Sequence, residues 1–324
     1  MYDFKNIIKN SGVNNPPILE PADYIVSKAL YGAVKAALAT DQPLLLTGEP
    51  GTGKTKLAAK LAYDLNLTDP TFDKEIKIFN TKTTSIAQDL FYSYDALRHF
   101  NVVSIAKAKD EEVPDAKPFL HLEALGEAIA MTSNQPLAKE LLKNNGKMQN
   151  SVVLIDEIDK APLDFSNDIL DEIENMRFEI KEIQENRVIK RGENHRIAII
   201  VTSNSEKNLP PAFLRRCAYF HIPFPTPELL YKIVKIHFNS KFEFAQKAAI
   251  EFFLIIRDMV TQKKPATAEL ICWLHILEID GFFKKYKNFD QLDNEQKDIL
   301  LSSLSVLVKT KEDLITLNDF INNK

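Results

Sequence analysis

From Pro21 to Thr40 the apolar positions follow a helical period, and the pattern stops at Asp41-Gln42-Pro43, where proline blocks helical continuation. The period then changes. Leu44 to Leu46 form a short all-apolar run that enters a glycine-rich turn, and Lys56 to Leu65 return to helical spacing through Leu57, Leu61 and Leu65. Ile76 to Phe79, Val152 to Ile155 and Ile197 to Val201 are further short, mostly apolar runs rich in β-branched residues, and Tyr219 to Ile222 is a weaker fifth. Buried strands separated by helical segments predict an α/β fold with a parallel five-stranded sheet flanked by helices, because parallel strands need crossover connections.

Three stretches interrupt this alternation. Phe178 to Ile183 and Arg187 to Arg191 mix charged with apolar side chains on either side of Gln184 to Asn186, which predicts a β-hairpin projecting from the core. Asn101 to Pro118, with two prolines and the charges of Lys107 to Glu112, reads as a surface loop, and Ser133 to Gln149 as another excursion. After Phe224-Pro225-Thr226-Pro227 only helical patterns remain, at about 228–239, 244–262, 267–279, 293–308 and 311–322. At 324 residues the chain exceeds what one core usually serves, so the prolines predict an α/β domain over 1–225 and an all-α domain over 226–324.

Composition narrows the function classes. With 45% hydrophobic and 27% charged residues the chain can build real cores, and a net charge of −4 gives no overall positive field for nucleic acid or anionic lipid. Local basic patches stay open. Cys217 and Cys272 lie far apart without CxxC spacing, which reads as reduced thiols and not as a zinc site or a disulfide. The six histidines are scattered and none pairs at metal spacing, and Trp273, inside a helical pattern, reads as core. No apolar core follows a basic stretch in the opening residues and no apolar run reaches membrane-spanning length, so a cytoplasmic location is expected.

Chemistry enters at the first glycine-rich turn. Gly48-Glu49-Pro50-Gly51-Thr52-Gly53-Lys54-Thr55 fills the pattern GxxxxGK[ST] between a predicted strand and a predicted helix. Glycines let successive backbone N–H groups point at phosphate oxygens, and the helix N-terminus adds its dipole. Lys54 supplies a positive charge for the outer phosphates of ATP, and the Thr55 hydroxyl can ligate Mg2+.

Ser151 to Asp156 deliver a second constellation, since Asp156 and Glu157 end an apolar strand at the edge where parallel sheets bind ligands. Side chains alternate along a strand, so the two can divide labour, Asp156 toward Mg2+ and Glu157 toward the attacking water. The plainer alternative, an acidic helix N-terminus before Lys160-Ala161-Pro162, suits Asp159 better. Asn204, after the Ile197 to Val201 run, has two balanced readings: a turn former, or a hydrogen-bonding group at the same water or phosphate. Arg215 and Arg216 close a short helix, where arginine is favoured anyway by the helix dipole.

In this order, a P-loop, a DE pair, a strand-end Asn and an arginine pair followed by helices resemble the AAA+ ATPases, and the MoxR family more closely. The closer likeness rests on Thr83 to Leu97, Leu154 to Pro162 and Leu209 to Arg216, within a resemblance that spans about 18–310. It implies a sheet in the order 5-1-4-3-2, a helical lid, and a ring homo-oligomer, usually a hexamer, with ATP sites between subunits. Asn204 then takes the sensor-1 place, and Arg215 or Arg216 that of an arginine finger acting in trans. A helix-2 insertion is implied at about 101–148 and a hairpin ahead of sensor 1 at 178–191. The implied activity is ATP hydrolysis that remodels or activates a protein client, and the partner the resemblance implies is a von Willebrand factor A-type protein. In the same family the segment holding Tyr24 approaches the adenine, although packing explains a tyrosine there as well. One departure stands out: Pro265-Ala266-Thr267-Ala268 occupies the place of the sensor-2 arginine, and Ala268 cannot contact a phosphate.

Two other classes remain. One is an ATP-dependent assembly switch with little turnover. The other is a nucleic-acid motor or loader, for which Lys181, Arg187, Lys190 and Arg191 offer a foothold that Glu179, Glu182 and Glu185 weaken.

Overall fold

The computed structural model describes residues 20–142, 148–185, 187–205, 209–238 and 243–324. The opening residues read above for a leader, residues 143–147 of the second excursion and Asn186 of the hairpin turn lie outside the described residues. Two compact units result. One comprises Val26–Gly48 and Lys54–Ile222; the other comprises Glu49–Gly53, Pro223–Lys324 and the described residues before Val26.

The first unit runs α1 (Lys28–Thr40), β1 (Leu44–Gly48), α2 (Lys54–Thr68), β2 (Lys77–Asn80), β3 (Tyr92–Tyr94), α3 (Ala96–Ala108), β4 (Leu120–Leu122), α4 (Ala124–Thr132), α5 (Pro136–Leu141) and β5 (Ser151–Asp156). It continues through α6 (Leu163–Asp168), α7 (Leu170–Asn175), β6 (Arg177–Glu179), β7 (Val188–Lys190), β8 (Ile197–Thr202), α8 (Pro211–Leu214) and β9 (Ala218–Ile222). Five strands form one parallel sheet in the order β2-β5-β8-β1-β9, which is 5-1-4-3-2 when those five are counted along the chain. The β-branched and leucine runs of β1, β5 and β8 are buried along their length, as central strands covered on both faces require. Register does the functional work. It sets Asn80 beside Asp156, Ile155 beside Val201, and Leu46 beside both Thr202 and Phe220, so the polar strand ends share one edge.

The structure corrects three expectations in this unit. The first helix starts at Lys28 and not at Pro21, because Ser27 caps it by accepting from Leu30 N at 3.1 Å; Pro21–Asp23 makes a separate 3-10 turn. Asn101 to Pro118 is no loop in its first half, since α3 runs to Ala108 with Asp95 as its cap, accepting from Arg98 N at 2.9 Å. Its flanks β3 and β4 pair antiparallel, so the excursion closes on itself between Tyr92 and Leu122. Only Ala106 of this helix is buried, while Leu97, Phe100 and Ile105 are exposed, and no core-facing stripe exists to betray it.

The third correction concerns the hairpin. β6 and β7 do pair antiparallel, yet the pair does not stand clear of the core. Phe178, Ile180 and Ile189 are buried, Phe178 stacks on Phe91 with centroids 5.4 Å apart, and Gln135 ties down Val188 O at 2.9 Å and Lys190 N at 2.8 Å. The alternation of Phe178 to Ile183 therefore buries one face and exposes Glu179 and Arg187, which pair with each other.

The second unit contains α9 (Pro227–Phe238), α10 (Glu243–Met259), α11 (Thr267–Ile279), α12 (Phe282–Lys285), α13 (Asn294–Leu307) and α14 (Lys311–Asn323). Short α12 went unpredicted because four residues carry no period. Asp293 and Gln296 cap α13 reciprocally, each side chain accepting from the other's N–H at 2.8 and 2.9 Å. Trp273 is fully buried among Phe252, Phe253 and Phe289, and its Nε1–H donates to Ser303 Oγ at 2.9 Å. No helix among the described residues is long and apolar enough to cross a membrane.

Removing that acceptor leaves a buried indole N–H unpaired. Ser303→Ala should lower the unfolding free energy of this unit by about 1–3 kcal/mol. Urea unfolding followed by the fluorescence of the sole tryptophan checks it, and an unshifted transition would show that the bond contributes nothing.

Candidate functional site

β1 ends at Gly48 and α2 begins at Lys54, so the glycine-rich turn spans the change from strand to helix that the motif needs. Gly51 and Gly53 adopt φ of 77° and 89°, a region that side-chain-bearing residues avoid. Thr52 closes the turn by donating its hydroxyl to Glu49 O at 2.8 Å. A Cβ on Gly53 would come within 3.0 Å of Tyr24 Cε2, so Tyr24 packs on the turn, and burial pushes its phenol up to about 12.

Lys54 is buried, and its Nζ donates to Gly48 O at 2.8 Å and to Asn204 Oδ1 at 3.0 Å. Two stretches of chain far apart in sequence meet on this one ammonium. Burial lowers its pKa from the ordinary lysine value, and the charges of Asp159, Asp156 and Glu157 act against that shift. Beside it, Thr55 Oγ1 donates to Asp156, 3.2 Å from Oδ1 and 3.3 Å from Oδ2. A hydroxyl and a carboxylate held side by side are the hard oxygen donors that Mg2+ takes alongside phosphate oxygens, so the donor set fits that ion. The buried ammonium at the start of α2 fits the phosphates.

Glu157 departs from the strand with φ of 56°. Its N–H donates to Thr202 Oγ1 at 2.8 Å, and the same hydroxyl donates to Asp156 Oδ1 at 2.5 Å. Thr202 thus joins the two acidic residues. The Glu157 carboxylate forms an exposed ion pair with Lys160, which raises the pKa of that lysine. Asp159 is more than an acidic helix start: its Oδ1 accepts from Asn204 N at 3.2 Å. Asn204 is accordingly fixed at its backbone by Asp159 while its side chain meets Lys54.

The structure therefore unites Lys54, Thr55, Asp156 and Asn204, and adds Thr202 and Asp159, which the sequence reading did not place in the site. Thr202 could have been noticed as the polar end of an apolar strand, directly before Ser203 and Asn204. None of these hydrogen bonds reaches Arg215 or Arg216. Arg216 donates from Nε to Glu174 Oε2 at 2.9 Å and from Nη1 to Ala212 O at 3.2 Å, whereas Arg215 is exposed and makes no ion pair among the described residues. Cys217 stays a thiol, its pKa pushed up to about 12 by burial, and no cluster of metal-ligating residues is present among the described residues.

A pH dependence follows from Lys54. A phosphate-bearing ligand favours the charged ammonium, so the pKa in the complex lies above the already lowered value of the free chain. Affinity is then complete below the free-state pKa and declines as pH rises through it. Titration with a fluorescent nucleotide from about pH 7 to 10 should show this fall beginning earlier than an ordinary lysine allows, and a flat profile would contradict it.

The family model described as "ATPase family associated with various cellular activities (AAA)" matches residues 44–226. Among solved structures, a variant of RuvB from Thermotoga maritima is 17% identical with a TM-score of 0.45, covering 89% of this chain and 73% of its own. A second RuvB variant is 16% identical with a TM-score of 0.44, covering 86% of this chain and 67% of its own. No curated protein matches the chain. The matched span takes in the whole parallel sheet, the glycine-rich turn and the strand-end carboxylates, and the chain belongs to the AAA family of ATPases.

Proposed function

We propose that this chain binds ATP with Mg2+ and hydrolyses it as a subunit of a MoxR-like ring, coupling the reaction to remodelling or activation of a protein client. The observation that supports this best is the Lys54 ammonium bridging Gly48 O and Asn204 Oδ1 while Thr55 meets Asp156, because one cluster then joins the glycine-rich turn, the strand-end acidic pair and the strand-end asparagine. Magnesium in such a site neutralises charge on the outer phosphates. Lys54 holds those phosphates from the helix start, and Thr55 and Asp156 supply oxygen ligands. Glu157 orients water; its exposed pairing with Lys160 is of the weak surface kind, which leaves the carboxylate free to turn. Asn204, fixed by Asp159, reports on the terminal phosphate.

Arg215 is our choice for the residue that completes a neighbouring subunit's site. It is exposed and has no ion-pair partner among the described residues, while Arg216 is held by Glu174 and serves to fix the end of α8. The β6-β7 hairpin supports the MoxR-like reading, since that resemblance implies a hairpin at 178–191, and the β3-α3-β4 excursion from Tyr92 to Leu122 overlaps the first part of the insertion implied at about 101–148. A nucleic-acid loader finds less support, because Arg187 is paired with Glu179 and Arg191 with Asp41.

Lys54→Ala should abolish nucleotide binding, and Glu157→Gln should retain binding while slowing cleavage about 100-fold or more. Particle mass with and without ATP should show assembly that Glu157→Gln stabilises. Absence of single-turnover cleavage by the wild type, with no change in Glu157→Gln, would leave only the assembly switch.

Arg215→Ala should lower turnover about 1,000-fold or more with nucleotide affinity retained. Mixing it with Lys54→Ala subunits, which still present Arg215, should restore activity. Failure of the mixture to recover would remove the role in trans.

A further inference from the structure

Glu49 places a negative charge in the glycine-rich turn. It sits at the second position of a loop whose backbone N–H groups collect phosphate negative charge, and a carboxylate there repels the ligand. The helical unit contains its counter-charge. Arg257, near the end of α10 and 6% exposed, forms an ion pair from Nη2 to Glu49 Oε2. Nη1 of the same guanidinium donates to Pro265 O, and its central carbon lies 3.7 Å from the centroid of the Phe224 ring. A planar fork held by an aromatic face, a carbonyl and a carboxylate has a fixed direction, which a lysine could not reproduce.

A second contact reaches the same loop. A Cβ on Gly51 would lie 2.9 Å from Ala266 Cβ and 3.7 Å from Ala268 Cβ, so the α10–α11 connection and the first residues of α11 pack directly on the turn. Small side chains at 266 and 268 permit that approach.

We propose that Arg257 is a positioning residue for phosphate binding: it neutralises the Glu49 carboxylate and holds it in place, so that the loop presents N–H groups without an opposing charge. The inference rests on the reading that this loop binds ATP. It also gives the helical unit an electrostatic role that does not require an arginine at Ala268. The cation acts on the loop and not on the nucleotide.

The test is a double-mutant cycle on the full chain, with a fluorescent non-hydrolysable ATP analogue and Mg2+ as probe. Arg257→Gln in the presence of Glu49 should weaken binding about tenfold or more, because the Arg257 cation then no longer offsets the negative charge that Glu49 adds to the loop. The same change in a Glu49→Gln background should cost less than about threefold. Equal losses in the two backgrounds would overturn the proposal, since Arg257 would then act on the nucleotide or on the fold. If Arg257→Gln does not fold, the Glu49→Gln/Arg257→Met double variant decides alone, because it removes both charges of the pair and leaves neither unpaired. Affinity within about threefold of wild type supports the proposal, and a tenfold loss overturns it. A wild type that binds the analogue no better than Lys54→Ala would instead sink the ATP reading itself.

Discussion

One buried ammonium organises the polar edge of the sheet, where the strand ends meet. Lys54 begins α2, yet its Nζ is satisfied by the last carbonyl of β1 and by Asn204, beyond the end of β8. Those strands are neighbours in the sheet, so the parallel register is what makes the two acceptors converge. Burial alone would drive the group toward neutrality. The acidic residues at the end of β5 offset that tendency, and their position again follows from register. Sheet order, strand-end polarity and the charge of Lys54 are thus a single problem with a single solution.

Much of this was legible in the sequence because it is local. A strand, a glycine-rich turn and a helix occur in eight consecutive motif residues and their flanks, and the acidic pair ends its own apolar run. Contacts between remote residues were not legible. Thr202 matters because it meets Asp156, 46 residues earlier in the chain, and Asp159 because it meets Asn204, 45 residues later. The strand-end position of Thr202 hints at the site, but neither residue type nor spacing names the partner that Thr202 or Asp159 meets. Arg257 is a stronger case, separated from Glu49 by 208 residues and embedded in an apolar helical pattern that reads only as core.

The two misread excursions fail for opposite reasons. Helix α3 carries its large apolar side chains outward, so amphipathic logic, which expects a buried stripe, has nothing to find. The β6-β7 hairpin does alternate, and its mixture of charged and apolar side chains predicts an arm that projects from the core. Phe178 and Ile189 show that the apolar half governs: a two-stranded ribbon is marginal alone and gains its stability by packing on Phe91 and Tyr92. Gln135 then fixes it through two main-chain groups.

The Thr202 hydroxyl has a single proton, and that proton is committed to Asp156, so only a lone pair remains for the Glu157 N–H. Direction is therefore set along the relay from backbone amide to hydroxyl to carboxylate. Successive bonds of this kind polarise one another. A full negative charge on Asp156 strengthens the grip on the backbone of Glu157, and a cation that shares that charge relaxes it. Occupancy at one carboxylate is in this way transmitted to the main chain of its neighbour, through a side chain that belongs to neither motif.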